Sequence, residues 1–113
     1  LNHEYISTII FEGIHFSLHE FAYKISEKDN KFTIMLYGKI FATNVNSNNS
    51  KEIVNIFKSN VNKELQKLVD LSKEKNIDIF DFEDKIYRKY NKKGHFDLQN
   101  VQVEYKSFFK LMN

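Results

Sequence analysis

Between Ile14 and Ala42 apolar residues alternate with polar ones, and from Lys51 to Lys75 they recur mostly every fourth position. This change of period constrains the fold more than any other feature. A period of two suits a strand facing a core on one side, and a period near 3.6 suits an amphipathic helix. A chain that lays down strands first and helices afterwards builds an α+β domain, with the helices on one face of an antiparallel sheet.

The first alternating run is Ile14, Phe16, Leu18, then Phe21, Tyr23, Ile25, with a slip of one near His19-Glu20. Such a slip predicts a β-bulge. Ser26 to Lys31, "SEKDNK", reads as a turn, and Phe32, Ile34, Leu36, Ile40 and Ala42 resume the alternation. Two antiparallel strands joined by a hairpin follow. Tyr5 to Gly13, with Ile6, Thr8 and Ile10 on one face, adds an earlier strand.

Thr43 to Ser50 reads as a loop, with Ser50 at an N-cap position. Ile53, Phe57, Val61, Leu65 and Leu68, with Val54 and Val69 beside them, stripe a helix from about Lys51 to Lys75. Leu65 lies mid-stripe, so its burial is expected to be nearly complete. Asn76 can end that helix in a left-handed turn. Asp81 is placed to cap a shorter helix, Phe82 to Tyr90, whose apolar edge is Phe82, Ile86 and Tyr90. Phe80 joins those three in docking the short helix under the sheet. Val101, Val103 and Tyr105 open a closing strand to about Leu111. The expected product is one domain over residues 1–113, with three to four antiparallel strands and a long and a short helix on one face.

A chain of 113 residues with 42% hydrophobic and 15% aromatic content can bury a core without staples. It has no Cys, which removes disulfides, thiol nucleophiles and thiolate metal sites. Its apolar runs fall short of the roughly 20 residues of a membrane span. Leu1 begins mid-pattern without an initiator Met, so a piece of a longer protein is expected. The formal charge of +2 is too balanced to argue for nucleic acid by itself.

Chemistry-bearing residues occur in three places. His15 and His19 stand four apart; on a strand that is roughly 13 Å, too far for one zinc. Ordinary strand histidines are the simpler reading. Asp78, Asp81, Glu83 and Asp84 cluster, but without the calcium-loop pattern, and capping of the second helix explains them better than catalysis or metal binding. Tyr87, Arg88, Lys89, Tyr90, Lys92 and Lys93 mix bases with aromatics. They could grip single-stranded nucleic acid, complement a helix C-terminus, or meet anionic lipid. A small nucleic-acid-binding module using the Tyr87 to Lys93 segment is therefore one alternative function. With neither a glycine-rich phosphate loop nor a nucleophile elbow, no enzyme, no cofactor and no metal are expected.

"DIFDFEDKIYRKY", Asp78 to Tyr90, resembles a segment of the C-subunit family of bacterial germinant receptors, the Ger(x)C spore germination lipoproteins. There a Lys/Glu-rich helix leads into D-(I/V)-F/L-G-F/L-G-(E/D)-x-(I/V)-Y-R-K. Asp78, Ile79, Phe80, Phe82 and Asp84 to Lys89 match, whereas Asp81 and Glu83 stand where that family has Gly. The segment "NKKGHFDLQN" is shorter than its counterpart and lacks the Trp and Pro found there. The preceding hairpin and "VQVEYKSFFKL" are similar to that family's paired strands and last strand. The resemblance spans roughly residues 14–111 and implies the third, C-terminal domain of such a lipoprotein.

What the resemblance implies is a non-enzymatic role. Such subunits are held at the spore inner membrane by an N-terminal lipid, outside this chain, and act with membrane-embedded receptor subunits. It implies no nucleic acid. Asp78, Phe80, Phe82 and Ile86 are then structural motif residues, and Tyr87, Arg88, Lys89, Lys92 and Lys93 the candidate contact. Arg88 is expected to have a specific partner, since its planar fork binds carboxylates or carbonyls bidentately where Lys cannot. Pinning within the domain is the favoured use and a receptor contact the other.

Overall fold

A computed structural model describes residues 7–45, 49–90 and 96–113. The elements run β1 (Ser7–Phe11), β2 (Ile14–Lys28), β3 (Lys31–Thr43), α1 (Ser50–Lys75), α2 (Phe82–Tyr90), a short 3-10 turn (Leu98–Asn100) and β4 (Gln102–Leu111). They form an α+β domain with one four-stranded sheet in the order β1-β2-β3-β4.

The first three strands form a meander on two tight turns. Glu12-Gly13 and Asp29-Asn30 each place two successive residues at positive φ, the geometry that matches the twist of paired strands. The second turn is shorter than "SEKDNK" suggested, because β2 continues to Lys28 and β3 starts at Lys31. The phase slip is a bulge between His19 and Ala22, with Glu20 at φ 51°. Two β2 residues there oppose Gly38 alone. A Cβ on Gly38 would stand 2.8 Å from Leu18 Cδ1, which explains a glycine inside a strand.

The sheet is mixed rather than wholly antiparallel. β4 pairs with β3 in parallel, from Lys31↔Gln102 to Ile40↔Leu111. The reason is a match of lengths. The 26 residues of α1 span about 39 Å at 1.5 Å per residue, and the 13 residues of β3 span about 43 Å at 3.3 Å. The helix therefore carries the chain back to the end where β3 began, and β4 sets out from there in the same direction.

Asn49, not Ser50, caps α1: its side chain accepts from the Lys51 and Glu52 amides at 3.1 and 3.2 Å. Asn76 ends the helix at φ 52°, with its amide donating to the Lys73 carbonyl and that of Ile77 to Ser72. The core lies between the sheet and the helices. One part gathers Ile14, Phe16, Ile40, Ile53 and Phe57. The other gathers Ile25, Phe32, Ile34, Phe82, Leu98 and Val101. Val61 and Phe109 pack against both.

Two positions in the apolar stripe of α1 differ from expectation. Leu65 is only partly buried, and Leu68 is 43% exposed. Val69 and Ser72 take the inward positions in the last turns. The sheet beneath the helix twists, so the line of contact rotates around α1 instead of running straight along it.

Candidate functional site

The segment that carries the resemblance begins with a cap. Both carboxylate oxygens of Asp78 accept backbone amides at 2.9 Å, Oδ1 from Phe82 and Oδ2 from Glu83. Asp81, expected in this role, instead sits at φ 55° and uses its carbonyl to accept the Lys85 amide. The carboxylate three residues before Asp81 reaches the free amides because the chain folds back through Asp81. Glu83 and Asp84 then lie in the first turn of α2, where negative charge complements the helix dipole.

Phe82 has no exposed surface and packs on Phe32 with ring centroids 4.3 Å apart. Phe80 stacks on Phe82 at 5.4 Å, and Ile86 packs against the same cluster. Asp78, Phe80, Phe82 and Ile86 are thus brought together as one unit that seats α2. Tyr90 does not extend this apolar edge; it is 47% exposed and has a polar use.

That use centres on Glu27, which is only 8% exposed. The Tyr90 hydroxyl donates to Glu27 Oε1 at 2.8 Å. Lys89 Nζ lies 3.8 Å from the same oxygen and donates to the Glu27 carbonyl at 2.5 Å. The hydrogen bond to Glu27, with some desolvation, raises the Tyr90 phenol above its ordinary pKa. Lys89 and Tyr90 therefore tie the end of α2 to β2. The sequence carried a signal for this: Glu27 falls on the inward phase after Ile25.

Arg88 pairs with Asp84 one turn earlier on its own helix, Nε to Oδ2 2.8 Å, and keeps 76% of its side chain exposed. The pin within the domain is made by its neighbours. Tyr87 is also exposed. Lys92 and Lys93 lie outside the described residues.

His15 and His19 both stand on the sheet face turned away from the helices. His19 Nε2 meets Ser17 Oγ at 3.2 Å, and its ring packs edge-on against Phe41. Among the described residues no three His, Asp or Glu side chains converge as a metal site. No helix is long and apolar enough to cross a membrane among those residues.

Two concavities flank the start of α2. An apolar groove of about 310 Å³ runs between Phe21 and Tyr23 of β2, Leu65 of α1, and Ile79 and Phe80, with Asp81 at its edge. A smaller hollow of about 230 Å³ is bounded by Asn30, Ile86, Phe96, Asp97 and Asn100. Among the described residues each is lined by a single carboxylate, Asp81 in the first and Asp97 in the second.

Comparison with known proteins agrees with this arrangement. No curated protein matches the chain. The crystal structure of the GerBC protein is similar in fold, with a TM-score of 0.69 and 18% sequence identity. The likeness covers 95% of this chain and 40% of that one, so this chain spans less than half of the GerBC length. The family model described as spore germination B3/GerAC-like, C-terminal, matches residues 4–112. A match over nearly the whole sequence, with the fold to go with it, places this chain in the spore germination B3/GerAC-like C-terminal family.

Proposed function

We propose that this domain is the C-terminal part of a germinant-receptor C subunit and acts in nutrient-triggered spore germination through protein contacts, without catalysis. The observation that carries the reading is the family match over residues 4–112. The rest of the subunit, with an N-terminal lipid, holds it at the spore inner membrane beside membrane-embedded receptor subunits. The exposed Tyr87-Arg88 end of α2 is one contact in this reading. Lys89 and Tyr90 fix its orientation, while the Arg88 guanidinium keeps donors beyond those used on Asp84.

The test is made in spores lacking the full-length protein. Returning the intact gene should restore the loss of optical density that follows nutrient addition. Returning a gene without this domain should not. Both strains should respond to a trigger that bypasses nutrients. Full nutrient response from the domain-less gene overturns the proposal. Within the intact gene, Arg88→Lys keeps the charge and loses the fork. Weakened germination with an unchanged melting temperature supports a protein contact at Arg88, and a normal response removes that residue from the contact.

A further inference from the structure

The helices cover one face of the sheet. On the described residues, nothing covers the other. Strand register fixes which side chains stand there: Lys24 and Lys28 on β2, Lys31 and Lys39 on β3, Lys106 and Lys110 on β4. Six of the chain's 17 bases thus share one surface. Among the described residues two carboxylates stand with them, and both are paired. Glu104 lies 3.0 Å from Lys31 and accepts from Thr33, while Glu20 at the bulge lies 2.8 Å from Lys39. These hydrogen bonds hold both carboxyls below their usual pKa, so neither gives up its charge near neutral pH. Among the other described residues nine bases stand against twelve acids. Among the described residues the excess of positive charge therefore belongs to the uncovered face.

Apolar side chains stand between the lysines. Ile10, Tyr37, Phe41 and Phe108 are 58, 39, 38 and 54% exposed. Tyr37 and Phe108 stack on each other with centroids 5.1 Å apart and planes nearly parallel.

We propose that this outer sheet face docks onto an anionic lipid surface. Charge complementarity points to an anion, and the type and spacing of the bases point to a lipid array. All six are Lys, while Arg88, the one Arg, is on α2. Protein interfaces favour Arg and deplete Lys. Lysine stems, by contrast, can lie along apolar surface with the ammonium raised to a headgroup. Lys31 and Lys39 are eight residues apart on one strand, about 26 Å, so no single anion serves them all. Phe108 and Ile10 carry no polar atom in their side chains and suit the boundary between headgroups and acyl chains. The mutual stacking of Tyr37 and Phe108 leaves no row of separate platforms for successive bases, which disfavours single-stranded nucleic acid.

The test is co-sedimentation of the 113-residue chain with vesicles of phosphatidylcholine alone and of an equimolar mixture with phosphatidylglycerol. Binding is expected to the mixture only, and to weaken as salt rises. Each lysine near an anionic surface contributes roughly fivefold in affinity. Lys106→Glu with Lys110→Glu should therefore weaken binding by at least about 25-fold. Lys24→Glu with Lys28→Glu, on a different strand, should do the same, which guards against one misfolded variant. Phe108→Ser should weaken binding without changing its salt dependence, and Arg88→Glu should leave it unchanged. Three results would overturn the proposal: no binding to the anionic vesicles, equal binding to both compositions, or a loss caused by Arg88→Glu alone. Tighter binding to oligothymidylate or polyglutamate than to vesicles would also overturn it, in favour of a nucleic-acid or acidic-protein partner. The germination reading rests on the family match, so none of these outcomes touches it.

Discussion

Replacing Phe82 by Ala should remove the main attachment of α2 to the core. Phe82 is fully buried and touches Phe32 and Phe80, with ring centroids at 4.3 and 5.4 Å. Truncation of a buried Phe costs about 3 to 5 kcal/mol, part of it lost transfer energy and part the cavity left behind. Unfolding entropy near 60 °C is about 2.1 cal/mol/K per residue, or about 0.24 kcal/mol/K over 113 residues. The melting temperature should thus fall by about 13 to 21 °C. Leu68→Ala is the informative control. A helical wheel places both residues in apolar stripes, but Leu68 is 43% exposed. Its loss should cost under about 1 kcal/mol, helped by the higher helix propensity of Ala. Urea and thermal melts of both variants decide the matter. Equal costs would refute the rotated contact line along α1. Amide exchange that rises only in residues 82–90 while the global midpoint stays put would refute the expected fall in melting temperature. In that case α2 would be latched onto the core rather than part of it.

The cap of α2 gives a paired test: Asp78→Ala should cost about 0.5 to 2 kcal/mol by urea melt. Asp81→Gly should change stability by less than about 1 kcal/mol, because Gly adopts the φ 55° of that position freely but loses more entropy on folding. Leu65→Ala should cost about 1 to 2 kcal/mol, below the range for a fully buried Leu, since Leu65 lines the groove at the rim of the core; a larger loss in the same melt would mean the groove is filled in solution. Burial, and to a smaller degree Asp70, pushes the Tyr105 phenol up to about 12. A raised folded-state value means the folded state holds its proton longer than the unfolded state. The contribution is complete below about pH 10 and is lost as pH rises from there to about 12. Ultraviolet titration should show a component ionising near pH 12 that Tyr105→Phe removes, while the upward shift of Tyr90 remains.

Much of the fold was legible in the sequence because its causes are local. Alternation is a property of neighbouring residues, so β2 and β3 could be found, along with the slip that became the bulge at Glu20. The long stripe of α1 and the left-handed stop at Asn76 depend only on a few turns of chain. The Asp78-to-Tyr90 segment could be recognised as a unit for the same reason. Its Asp81 also acquired a physical meaning: where that family has Gly, this chain holds a positive φ.

Other features depend on residues far apart in the chain, and only the tertiary structure decided them. The direction of β4 followed from the length of α1 relative to β3, which no local pattern encodes. Leu68 lies between Phe57 and Val61 on a wheel of about 100° per residue, yet the twist of the sheet turned it outward. The inward phase of Glu27 is legible, but its partners are not: Lys89 and Tyr90 arrive 62 and 63 positions later to satisfy it. The basic face was hidden for the same reason. Its six lysines are scattered from position 24 to 110, in a chain of balanced overall charge. Strand pairing gathers them because every second residue of each strand must face away from the core.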